Sequence, residues 1–212
     1  MRLEATKKSD QYKVWMTDDE LEELRRHAPS HRDDLVIQLG GYVGLRAFEI
    51  PQVAPQHVRR TDDGDHYRLR VPEGKDTSGG GGKPRNAYLP ADVERALHRF
   101  KNAEDLAPSD PYIDLSTSGV RAVVKRVAER AADATGDSDF EHVSSHDLRR
   151  RFAQRLLVDE RLNPRVVMAV GGWDSFAAIE PYLNAPSEQV VNAAFDNADL
   201  ALFECCPSLR QQ

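Results

Sequence analysis

Apolar residues recur at helical spacing along most of this chain, and the period changes to two in only one place. Residues 66–71 alternate polar and apolar side chains, and residues 86–89 do so weakly. A period of two builds a half-buried strand and a period near 3.6 an amphipathic helix. The expected fold is therefore mainly α with a small antiparallel β-sheet, an α+β domain whose two strands form a hairpin. Between them Gly74-Lys75-Asp76-Thr77-Ser78 runs into four glycines, too long and flexible a stretch for a tight turn.

Capping signals set the helix boundaries. Thr17-Asp18-Asp19-Glu20 reads as a capping box opening a helix to about His27, and Pro29 stops it. Ser30 caps a second helix through Leu35, Val36 and Leu39, which ends near Gly40-Gly41 or at Gly44 and leaves Arg46 just past its end. Helices are expected over 91–101 and over 119–134, the latter with Val120, Val123, Val124, Val127 and Ala131 on one face. After a polar loop over 135–145, Ser145 is expected to cap a helix from His146 to about Val158. Pro164 opens another that stops at Gly171-Gly172. Ser175 starts a short helix carrying Ile179 and Tyr182, and a last helix spans 187–200. The 212 residues read as one domain with its core in about 17–200.

No apolar run long enough to cross a membrane and no secretory leader is visible, so a cytoplasmic protein without membrane contact is expected. The two cysteines, Cys205 and Cys206, are adjacent, with neither disulfide-framework nor zinc-site spacing. The net charge of −6 argues against a polyanionic partner, but the charge is segregated. Residues 66–90 and 144–165 are each locally +3, while residues 171–212 set six carboxylates against Arg210 alone. Arginine outnumbers lysine 22 to 7 and aspartate outnumbers glutamate 21 to 14, a profile resembling proteins of salt-loving archaea.

The basic segments hold the candidate chemistry. Transferring a phosphodiester without a metal needs cations for its oxygens, an acid for the leaving oxygen and a positioned nucleophile. Arginine suits the first role, because its planar fork donates two parallel hydrogen bonds and stays charged. His146 and Arg149, in Ser-Ser-His-Asp-Leu-Arg-Arg-Arg-Phe, lie three apart at a helix start, where both reach one phosphate. Taken alone that pair reads more readily as a solvated basic face.

Five elements in order resemble the tyrosine recombinases of the phage integrase family. Gly44-Leu45-Arg46, with Glu49 three residues on, is similar to their first box. Gly74-Lys75 resembles their catalytic-lysine turn, and His146-Asp147-Leu148-Arg149 their His-x-Leu-Arg box. Gly171-Gly172-Trp173 stands where these enzymes have His or Trp, and Tyr182 follows nine residues later, at the spacing of their nucleophile. The resemblance covers about residues 17–200 and implies the fold of that catalytic domain, with double-stranded DNA as partner and no cofactor. It implies that Arg46 and Arg149 grip the scissile phosphate while Tyr182 attacks it, giving a 3′-phosphotyrosyl enzyme. It further implies His146 as base, Lys75 as acid to the 5′-oxygen and Trp173 as partly positional. Glu49 would orient Arg46 or another arginine. Lys83 competes with Lys75 across the glycines, and Arg85 and Arg150 are further supporting or DNA-contact candidates, with Arg151 and Arg155 in the same basic run.

Complete members of the family usually carry a separate helical DNA-binding domain before the first box. Only about 45 residues precede Arg46, so that domain is expected to be absent from this chain. A homo-oligomer on DNA, of the tetrameric kind, is implied for recombination. Two other readings share the fold: a DNA-binding regulator without turnover, and a relaxase of the type IB topoisomerase kind.

Overall fold

A computed structural model describes residues 1–6, 12–72 and 84–183. The chain opens with an antiparallel pair, β1 (Arg2–Ala5) and β2 (Tyr12–Trp15), with Leu3 opposite Val14. Helix α1 (Asp18–Arg26) begins at the expected capping box: Thr17 Oγ1 accepts the Glu20 N–H at 3.3 Å, and the Glu20 carboxylate accepts the Thr17 N–H at 2.8 Å. Helix α2 (His31–Gly41) is capped by Ser30, and every residue from Leu35 to Gly41 is buried. A stretch buried on every side belongs at the centre of a domain, and its one polar side chain, Gln38, donates to Asp34 at 2.7 Å. It touches α1 and three later helices: α3 (Ala91–Ala103), α4 (Thr117–Thr135) and α5 (Ser145–Gln154).

The expected hairpin is present as β4 (Tyr67–Val71) and β5 (Arg85–Leu89), paired Leu69 to Ala87 and Val71 to Arg85. Leu69, Val71, Ala87 and Leu89 are buried while Arg70 and Asn86 face solvent, which is what the alternation encodes. A third strand, β3 (Val58–Arg60), lies antiparallel on β4 and gives the order β3-β4-β5. One small sheet was expected and two are found among the described residues. Strand β3 spans three residues, two of them exposed arginines, and β2 buries both Val14 and Trp15, so neither shows the alternation that marks a strand.

Two further boundaries differ. The cap of α5 is Ser144 rather than Ser145, because Asp147 at the third helical position reaches back to accept the Ser144 N–H at 2.9 Å. Continuing α5, Arg155–Asp159 form one π-helical turn. The polar loop contains a 3₁₀ turn, Ser138–His142, anchored by buried Phe140. Helix α6 (Pro164–Gly171) starts at Asn163 and ends at Gly172, and after α7 (Phe176–Ile179) a 3₁₀ turn over Glu180–Tyr182 carries the tyrosine.

Helices α1 to α4 and both sheets enclose the main core. A smaller cluster, Phe152, Ala153, Leu157, Val167, Trp173, Ile179 and Tyr182, lies between α5, α6 and α7. Helix α5 joins them, with Leu148 in the first and Phe152 in the second. The expected helix over 187–200, with Lys75, Lys83, Cys205 and Cys206, lies outside the described residues. Among the described residues no helix is long and apolar enough to cross a membrane.

Candidate active site

The end of α6 organises the site. The last carbonyls of a helix have no partner within it and carry the negative end of its dipole. Here three consecutive carbonyls accept from three arginines of distant segments: Val170 from Arg85 Nε at 3.2 Å, Gly171 from Arg149 Nη2 at 2.6 Å, and Gly172 from Arg46 Nη2 at 3.0 Å. Gly172 adopts the left-handed conformation, φ +68°, and a Cβ there would lie 2.6 Å from Arg85 Cδ. Only glycine combines that backbone turn with so close an arginine.

Arg46 follows the sharp bend at Gly44, where φ is +73° and a Cβ would fall 2.3 Å from the Phe152 ring. The bend turns the Gly44 carbonyl toward α5, where it accepts from Arg149 Nη1. Arg149 is thus held between two carbonyls, 2% exposed, with its guanidinium carbon 4.0 Å from the Trp173 ring centre. Burial, with Arg46 and Arg85 nearby, pushes its pKa down to about 9 against the opposing pull of Glu49 and Tyr182. The intrinsic basicity of a guanidinium still leaves it charged at neutral pH.

Glu49 is the counter-charge. Fully buried, it accepts from Arg85 through both oxygens, at 2.6 and 2.8 Å, and from the Arg46 side chain and backbone N–H at 2.8 and 2.7 Å. Burial would raise its pKa, but the Arg85 hydrogen bond and charge, then Arg46, outweigh it and hold the carboxyl below its ordinary range. Three guanidinium groups against one carboxylate leave this cluster at +2 (3 − 1), a preformed site for an anion.

Trp173 links the cations to the tyrosine. Its ring stacks on Phe152 at 6.3 Å and lies tilted at 5.7 Å from that of Tyr182, which is 7% exposed. His146 sits exposed in the first turn of α5, one helical turn before Arg149. The structure thus brings Arg46, Glu49, Arg85, Arg149, Trp173 and Tyr182 around one turn of chain, with His146 on the adjoining helix start.

Arg150 is elsewhere. It is buried against the N-terminal hairpin, 5.5 Å over the Trp15 ring and paired with Asp147, with the Val14 carbonyl at 3.5 Å. Arg151 is buried between Asp18 at 2.8 Å and Asp159 at 2.7 Å. Expected to touch DNA or to solvate the helix, both instead make internal ion pairs. The physical reason is the helical step of about 100° per residue, which sends three consecutive arginines toward three different neighbours. Sequence reasoning also passed over Asp147, whose place at the third position of a capped helix was the available signal.

The sequence matches the phage integrase family over residues 14–189. No curated protein sequence matches it. Among solved structures, the XerA recombinase is similar with a TM-score of 0.64 at 18% identity, over 86% of this chain and 64% of that one. The Tn1549 transposon integrase, in complex with transposon right end DNA, gives 0.68 at 16% identity, over 90% and 68%. The XerH site-specific recombinase, bound to its difH substrate in a pre-cleavage complex, gives 0.61 at 20% identity, over 84% and 52%. This chain therefore spans between half and about two thirds of the lengths of these relatives. At such identities the likeness is one of fold, and that fold is the mainly helical catalytic domain of tyrosine recombinases. Taken with the family match over most of its length, it makes this chain a member of the phage integrase family.

Proposed function

We propose that this chain cleaves and rejoins double-stranded DNA through a covalent bond to Tyr182, in support of integration or recombination in the cytoplasm. The observation that carries the reading is the set of three arginines fixed on consecutive carbonyls of 170–172, beside Trp173, on which the ring of Tyr182 packs. Membership of the family and the DNA complexes of the Tn1549 and XerH proteins support it further.

A phosphodiester seated on Arg46 and Arg149 would have its non-bridging oxygens neutralised as charge grows on them. The Tyr182 oxygen attacks phosphorus, its proton passing to His146. The bond to the 5′-oxygen breaks, and that oxygen takes a proton from Lys75, or from Lys83 if that lysine holds the role. The product is a 3′-phosphotyrosyl enzyme and a free 5′-hydroxyl. Reversal by another 5′-hydroxyl rejoins the strand without ATP, because the phosphotyrosyl bond keeps the energy of the one it replaced. Because Tyr182 is largely covered, its hydroxyl must be uncovered for attack. The short α7 and the 3₁₀ turn, anchored through Ile179 and Tyr182, form a unit small enough to shift. A full reaction on two duplexes would need several copies, a tetramer in the usual arrangement.

A duplex nicked just beyond the cleavage site tests this. The wild-type chain should give an adduct stable to denaturing electrophoresis, and Tyr182→Phe should give none while still binding the duplex. Arg46→Ala and Arg149→Ala should slow adduct formation by roughly 10²–10³-fold. An adduct with Tyr182→Phe, or none with the wild type on its own site, would overturn the reading.

A further inference from the structure

The first two turns of α5 are held from two sides, and only one of them belongs to the site above. Arg149 reaches the carbonyls of Gly44 and Gly171. On the adjoining face Asp147 and Arg150, one helical turn apart, grip strand β2. Asp147 Oδ1 accepts the Val14 N–H at 2.9 Å, and Arg150 Nη1 lies 3.5 Å from the Val14 carbonyl. Two side chains of a helix thus occupy both backbone groups of one strand residue, on the edge of β2 that β1 leaves open. Asp147 also accepts the Ser144 N–H and hydroxyl and pairs with Arg150, so a carboxylate only 2% exposed has every neighbour it can use. Trp15 packs between Arg150 at 5.5 Å and Arg2 at 5.0 Å, and its Nε1 donates to Glu4 at 3.1 Å, which ties β1 into the same assembly.

We infer that Asp147 is a positioning residue, and that with Arg150 it latches the N-terminal hairpin to α5 so that His146 and Arg149 are presented to the DNA phosphate. This rests on the proposed strand cleavage. Asp147 lies between His146 and Leu148, and a buried, multiply bonded carboxylate at that point fixes both the start and the rotation of the helix. Misplacement of a phosphate-gripping group by as little as about 1 Å can lower a rate by about 10²-fold. A purely structural role would lower stability and leave the rate per folded molecule intact. A positioning role predicts slow chemistry in molecules that remain folded and bound.

The test compares Asp147→Asn and Arg150→Met with Asp33→Asn. Asp33 is equally buried and paired with Arg32 and Arg126, but sits on α2 against α4. With the nicked duplex at saturation, Asp147→Asn should trap adduct 10- to 100-fold more slowly than wild type, with DNA affinity within about twofold. Arg150→Met should slow it in the same direction, and the double variant should be less than additive. Asp33→Asn should lower the melting temperature yet keep the wild-type rate. Amide exchange at residues 146–150, read without DNA, should quicken in Asp147→Asn. Equal trapping rates for wild type and Asp147→Asn, or exchange unchanged over that turn, would overturn the inference. Absence of any adduct with wild type would instead strike the proposed cleavage, and the exchange measurement would still decide whether Asp147 holds the helix.

Discussion

Glu49 sets the charge balance of the site, since its carboxylate is the one acid bonded to the arginine cluster among the described residues. Its replacement by Gln would leave the Arg85 side chain, 7% exposed, with no counter-charge among the described residues. Breaking a buried pair in this way costs about 3–5 kcal/mol, and thermal denaturation at neutral pH should show it. The pH dependence has a definite sign. Because the folded carboxyl titrates below its ordinary range, its stabilisation is complete above that range and is lost as pH falls through the folded value. The gap in melting temperature between wild type and Glu49→Gln should therefore narrow on acidification below about pH 4.3. A gap that stays constant with pH would mean that the ion pair is not the source of the difference.

At the scale of elements, the bend after α2 and the end of α6 form one structural unit, joined by Arg149. Gly44 supplies both the left-handed turn and the carbonyl that Arg149 grips, and Phe152 of α5 lies where a side chain would be. Gly44→Ala should destabilise by about 1–3 kcal/mol through overpacking alone, measurable by denaturant unfolding. It should also slow adduct formation, because the displaced carbonyl shifts Arg149. A variant that loses stability but traps adduct at the wild-type rate would separate the bend from the chemistry. Helix α5 belongs to this unit on one face, through Arg149, and to the N-terminal hairpin on another, through Asp147 and Arg150.

For the molecule as a whole, the quantity that bears on the proposed DNA binding is how many cations are left without an internal partner. The net charge is −6, and of the arginines in 144–165, Arg150 and Arg151 are taken up by internal ion pairs. Each phosphate neutralised lowers log K by about 0.9 per decade of salt on duplex DNA. Binding of Tyr182→Phe to its duplex should therefore show a shallower salt slope than a recombinase catalytic domain of positive net charge. Equal slopes would mean that as many phosphates are neutralised here as there.

Local pattern made much of this protein readable. The capping box at Thr17, the helix stop at Gly171-Gly172 and the β4–β5 alternation depend on residues a few places apart, and they lie where the sequence indicated. The identity of Arg46, Arg149, Trp173 and Tyr182 as candidates was legible from motif order, and Glu49 from its spacing to Arg46. Other features were not: β3 and the N-terminal hairpin, the internal pairing of Arg150 and Arg151, and the three carbonyls of 170–172 shared among three arginines. Those are contacts between segments up to 136 residues apart, such as Val14 with Arg150. A run of three arginines reads as one basic patch in a sequence. Only the rotation of a packed helix decides which of them faces the carbonyls at the end of α6 and which a neighbouring strand.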